Sequence, residues 1–351
     1  MEHAKEPLFP ALKKRVETLF PAYFALVMAT GIVSIACNLL GFHLIAKALF
    51  YFNATAYCIL LVMFFSRVIF YFRAFSEDFS SHAKSPGFLT IVAGTCVLGN
   101  QFIALGYGYD IATVLYYLGI LLWLILLYAL MIVLTTKNTK PTLDQGINGI
   151  WLLIVVSTQS ISVLGTELLE HTIWGKQAAL LISLLMFLLG CIFYIIIITL
   201  IFYRLTFFKM KAEEFAPPYW INMGAVAISS LAGALLIQKS AQWEFLSSIQ
   251  YFVTGMTLML WAFGTWWIPI IVFLGFWRHV LKQYPLSYHP QYWGMVFPLG
   301  MYTVSTYRIS QIQNLEMLSP IASGFIYLAV IAWSLTFIGL FHKTIKGLIS
   351  R

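Results

Sequence analysis

Ten apolar runs, each about long enough to cross a bilayer, fill most of this 351-residue chain, and they constrain its fold before any motif does. A hydrocarbon core of about 30 Å takes about 20 apolar residues as a helix. The runs lie near 20–40, 47–71, 86–106, 110–134, 148–166, 177–203, 219–238, 250–275, 291–311 and 319–341. Their connections are short, so 1–351 reads as one all-α, polytopic transmembrane domain. Charged residues make up 10% of the chain, against about 25% in a soluble domain. That excludes a soluble enzyme, a disordered chain and a disulfide-stapled secreted domain. Cys37, Cys58, Cys96 and Cys191 lie in apolar runs with no close spacing and no histidine partners. They read as small buried hydrophobes, not as metal ligands.

There are 21 Lys+Arg against 13 Asp+Glu, a net charge of +8. With the N-terminus inside, 17 of the basic residues fall on the cytoplasmic side; Lys47, Lys176, Lys239 and Arg308 make the 4 outside. The asymmetry orients ten spans in the plasma membrane with both termini cytoplasmic. It also removes a nucleic-acid partner, because the excess is spread over six segments and forms no single patch. A basic stretch, Lys13-Lys14-Arg15, precedes the first run, but a second span follows at once, so signal-peptide cleavage is not expected.

The runs are of two kinds. In windows of 21 residues, the odd-numbered runs hold 35 Gly, Ser, Thr, Asn and Gln; the even-numbered runs hold 18. The odd runs carry Gly94, Ser157, Ser160, Asn222, Gly224, Ser229 and Thr303, and they recur about every 62–72 residues. The unit is a helical hairpin repeated five times, with odd helices inside and even helices against lipid. Small and polar residues suit a hydrated lumen or close helix packing, and composition alone leaves both open.

No Asp, Glu, Lys, Arg or His lies near the middle of any run, and all seven histidines sit at or beyond run ends. A catalytic or metal cluster is therefore not expected, nor a cofactor. A proton relay at membrane depth is missing too, which favours passive conduction or uncoupled transport. Without an acidic ring, hydroxyls, amides and helix dipoles suit small anions better than cations. Two roles fit Arg308 at the outer end of run 9: attracting anions to the mouth, or snorkelling to the interface. Pro298 inside run 9 removes a backbone hydrogen bond and kinks the helix beside Phe297. A phenylalanine there is either an apolar plug that gates by dewetting or a packing residue.

Several stretches together resemble the tellurite-resistance/dicarboxylate transporter family, which includes bacterial TehA and the plant slow anion channels. They are Phe20-Pro21-Ala22-Tyr23-Phe24 running to Met28-Ala29-Thr30-Gly31-Ile32, Ser85-Pro86-Gly87-Phe88, Trp220-Ile221-Asn222-Met223-Gly224-Ala225 and Gly264-Thr265-Trp266-Trp267-Ile268-Pro269, with Tyr292-Trp293 and Phe297-Pro298. The resemblance implies ten helices in five hairpins around a central pore, and a homotrimer with one pore per protomer. It implies transport of small inorganic or organic anions, with Phe297 as the occluding residue, Gly31 as the glycine of span 1 and Phe88 as a second pore aromatic. The chain lacks the long charged termini of the plant members, so kinase control is not expected. The run Met301-Tyr302-Thr303-Val304-Ser305-Thr306-Tyr307-Arg308 is closer to permease-like members. The expected function is an anion channel or permease. The alternative is a secondary carrier for C4-dicarboxylate, sulfite or tellurite. An enzyme or scaffold would need a buried reactive cluster or a large soluble loop, and the sequence has neither.

Overall fold

The computed structural model describes residues 8–312 and 314–349. Among these the protein is helical, with no β-strand. The principal helices are α1 (Ala25–Leu39), α2 (His43–Phe70), α3 (Thr90–Ala104), α4 (Asp110–Thr136) and α5 (Leu153–Glu167). They continue as α6 (Lys176–Phe207), α7 (Ile221–Lys239), α8 (Gln250–Phe276), α9 (Trp293–Ser310) and α10 (Ser319–Ile349).

By length and composition, 8 described helical segments can cross a membrane, against the ten runs expected. The difference lies in α1 and α9. At about 1.5 Å per residue, the 15-residue α1 is shorter than a bilayer core, because turns around Pro21 precede it. Helix α9 has its apolar character diluted by Thr303, Ser305, Thr306 and Arg308.

Burial separates the helices into two sets. Helices α1, α3, α5, α7 and α9 are buried along most of their length. They touch in a closed order, α1 to α3 to α5 to α7 to α9 and back to α1. The even-numbered helices pack outside them and expose large apolar side chains such as Val62, Ile132, Ile196, Phe273 and Ile331. Such a surface suits hydrocarbon, not water.

Each inner helix is entered through a tight turn. Short 3-10 segments at Ser85–Leu89, Gly149–Leu152, Pro217–Trp220 and Pro290–Tyr292 lead into α3, α5, α7 and α9. Proline opens three of them, where its missing N–H is not needed. Gly149 allows its own turn to approach the Pro218 carbonyl, a space that any β-carbon would fill.

Two bonding devices recur five times and fix the outer helices to the inner ones. First, an aromatic or indole donor on each even helix reaches the next odd helix. Trp123 Nε1 donates to Thr158 Oγ1 at 2.9 Å, Trp261 Nε1 to Thr306 Oγ1 at 2.9 Å, and Trp333 Nε1 to Thr30 Oγ1 at 3.0 Å. Tyr57 and Thr95 share a hydroxyl bond of 2.8 Å, and Tyr194 donates to the Asn222 carbonyl at 3.0 Å. Each such bond is worth about 1 kcal/mol net.

Second, a basic residue at the end of each even helix grips the segment leading into its preceding odd helix. Arg67 donates to the Leu19 carbonyl at 2.8 Å, Lys137 to that of Ser80 at 2.8 Å and Arg204 to that of Ile147 at 2.7 Å. Arg278 donates to the Phe215 carbonyl at 2.5 Å, and the Lys343 ammonium lies 5.9 Å from the Tyr288 ring centroid. These residues thus have structural partners beyond any role in orienting the chain.

Candidate transport pathway

Two small cavities lie along the line enclosed by the five inner helices, and each is lined by residues from all five. Near the C-terminal ends of these helices is a cavity of about 60 Å³. Near their N-terminal ends is one of about 20 Å³. A water needs about 10–15 Å³ of such space, so the first holds a few waters and the second about one. They share no lining residue. Phe297 lines the N-end cavity and Met301, one turn on, lines the C-end cavity, so the helix turn between them separates the two.

The walls are mainly aliphatic. In the C-end cavity, Ile32, Val97, Ile228 and Leu231 surround four polar side chains, Asn100, Ser160, Glu167 and Arg308. Arg308 Nη2 stands 3.6 Å from Glu167 Oε1, with the side chains 29% and 22% exposed. In the N-end cavity Phe297, itself buried, is joined by Met28, Leu153 and Ile221. A wider depression of about 840 Å³ adjoins it through the shared residues Phe20, Ile150, Pro218 and Gln291. That depression is lined by Lys84, Arg204, Lys209 and Lys211 against Asp144 and Glu214. His289 also faces it; burial and the nearby Lys343 hold its imidazole below the ordinary histidine range. The positive character of this depression at neutral pH therefore comes from its lysines and Arg204.

The residues singled out from sequence divide into three groups. Phe297, Ser160 and Arg308 line the cavities. Gly31, Gly94 and Gly224 sit at helix contacts. A β-carbon on Gly31 would fall 2.6 Å from Val97 Cγ1, and one on Gly94 would fall 3.4 Å from the Phe24 carbonyl oxygen. The Gly224 position meets Pro298 Cγ at 2.6 Å, so the proline ring fills the notch that the glycine leaves.

The third group lies off both cavities. Ser157, Ser229 and Thr303 are buried and donate to carbonyls of their own helices, those of Ile154, Ala225 and Leu299. Asn222 is buried with neither side-chain amide atom bonded. Phe88 belongs to an aromatic cluster with Phe64, Phe75 and Phe79, with ring centroids 5.0 to 6.4 Å away. Much of the polar content of the inner helices therefore serves packing between layers. Among the described residues, no group of three or more His, Cys, Asp or Glu is placed to hold a metal ion.

Gly224 gives a direct test of this packing. Gly224→Val forces α7 away from Pro298, and overpacking of this kind costs about 1–3 kcal/mol. The thermal unfolding midpoint in detergent should fall; an unchanged midpoint would mean that α7 and α9 do not meet there.

Residues 18–341 match the family of voltage-dependent anion channels, SLAC1. The chain belongs to the SLAC1 family. It is 25% identical to an uncharacterized transporter of Methanocaldococcus jannaschii over 95% of both chains. It is 35% identical to an uncharacterized membrane protein of Mycobacterium tuberculosis over 42% of its own length and 75% of that protein. It is also 21% identical to a sulfite efflux pump of Arthroderma otae, over 92% of its length and 90% of the pump.

In this SLAC1-family chain, sequence reading missed Glu167 and Asn100. A signal existed for the first. Ser160, Val163 and Glu167 recur at helical spacing on α5, as do Met301, Val304 and Arg308 on α9. Following either stripe to its end would have brought the two charges to one face.

Proposed function

We propose that this protein is a ten-span anion channel or permease of the plasma membrane, with both termini cytoplasmic. Its five helical hairpins surround a pathway closed by Phe297. The observation that carries this reading is the pair of cavities lined by all five inner helices and interrupted between Phe297 and Met301. An apolar ring at a narrow point excludes water, and an ion cannot pass a dry constriction without losing its hydration. The basic depression below Phe297 supports an anionic cargo, because it gathers anions where the pathway begins. In this orientation the N-end cavity is the inner one and the C-end cavity the outer. The chain forms one transport domain that assembles as a homotrimer, each protomer with its own pathway. It performs no catalysis.

Reconstitution into proteoliposomes tests the reading. With the Phe297→Ala protein, chloride, nitrate and sulfite loaded inside should leave faster than from protein-free vesicles, and cations should not follow. Sedimentation in detergent checks the trimer.

A second reading, an exporter of sulfite or a carrier for a dicarboxylate or tellurite, is favoured by the likeness to a sulfite efflux pump. Flux that follows an imposed pH gradient at fixed anion concentration would support that carrier; flux indifferent to it supports a channel.

A further inference from the structure

We infer that Glu167 is a charge-selecting residue of the pathway: facing Arg308 in the outer cavity, it makes that cavity favour monovalent over divalent anions. The inference rests on the transport reading above.

Glu167 ends α5 and Arg308 lies in the last turn of α9, on stripes that line one cavity. The Arg308 Nη2 to Glu167 Oε1 separation is 3.6 Å, beyond the 2.7–3.2 Å of a formed N–H···O bond. The guanidinium has five donors, so it can face the carboxylate and an entering anion together. Around the same cavity α1 supplies Ile32 and Ile35, α3 supplies Asn100, and α7 supplies Leu231 and Leu235. The two charges are therefore the only ionisable groups among its lining residues, and their sum is zero.

That neutrality has a consequence for ion valence. A space of about 60 Å³ cannot hold an anion with its full water shell. The cost of stripping water grows with the square of the ion's charge, whereas attraction to a fixed charge grows only in proportion to it. A cavity with no net charge offsets little of that cost, so the divalent ion is penalised more. Arg308 alone would make the cavity an attractive site for either valence; Glu167 removes that advantage. It also weakens anion binding on Arg308, which lets the ion leave on the outside.

Glu167→Gln leaves one uncompensated positive charge, and a divalent anion gains about twice what a monovalent one gains. The test compares sulfate and chloride flux through proteoliposomes containing wild-type or variant protein. The ratio of sulfate to chloride flux should rise roughly tenfold in Glu167→Gln, as one added unit charge a few ångströms away implies after screening. Arg308→Gln should move the ratio the other way and lower both fluxes. Glu167→Asp, which keeps the charge, should hold the wild-type ratio.

Chloride flux through the wild type with the same ratio in Glu167→Gln overturns this inference alone. Should Glu167→Gln not fold, an unmoved ratio in Arg308→Gln overturns it equally. No anion flux through either the wild type or Phe297→Ala overturns the transport reading as well.

Discussion

Replacing Phe297 by alanine should raise anion flux through the purified protein roughly tenfold or more, since it removes the apolar ring where a dry constriction would gate. The side chain is buried and lines the inner cavity beside Met28 and Ile221. Its loss would join the inner space to the outer cavity that begins at Met301. Truncating a buried phenylalanine also costs about 3–5 kcal/mol of stability, so flux must be compared at matched amounts of folded protein. Phe297→Leu keeps an apolar side chain there and should remain near the wild type. Folded Phe297→Ala with wild-type flux would remove Phe297 from the gate and leave it as a packing residue.

Replacing Arg67 by alanine should produce a large loss of stability. Its guanidinium is almost fully buried and donates to the carbonyls of Glu17, Leu19 and Ala74 and to Asp78 Oδ2, the last at 2.6 Å. Removing one partner of such a buried ion pair costs about 3–5 kcal/mol. The unfolding midpoint in detergent should drop by several degrees; an unchanged midpoint would show that the grip on the segment before α1 contributes nothing.

The same cluster predicts a pH dependence. Burial alone pushes the Asp78 carboxyl up, but its bonds to Arg67 and Lys84 outweigh burial and hold it below the ordinary aspartate value. A depressed carboxylate contributes stability that is present above the unfolded value of about 3.9 and is lost as pH falls through the lower folded value. Asp78→Asn should be less stable than the wild type at neutral pH, and the two should converge in acid.

The division into buried and lipid-facing helices was legible in the sequence, because burial follows composition. A run such as Leu121-Leu122-Trp123-Leu124-Ile125-Leu126-Leu127 has no small residues with which to pack closely on every side. The role of the polar residues was less legible. Thr158 and Thr306 add to the polar content of the odd runs, yet each accepts an indole N–H from an outer helix. Composition counts a hydroxyl without saying which face of the helix it occupies.

The partners were nonetheless periodic. Tyr57, Trp123, Tyr194, Trp261 and Trp333 recur 66 to 72 residues apart, and Arg67, Lys137, Arg204, Arg278 and Lys343 recur 65 to 74 apart. Tracking those two series would have disclosed the bonding between layers. The basic series was hidden because a charge at a helix end also serves to orient the chain. Glu167 escaped notice for a related reason. A carboxylate at a span end reads as an interfacial residue until its distance to Arg308 is known.

Anions should pass along the line of the five inner helices. Planar-bilayer recording of Phe297→Ala under a potassium chloride gradient tests this most directly. The current should reverse near the chloride equilibrium potential. Reversal near the potassium potential would contradict it.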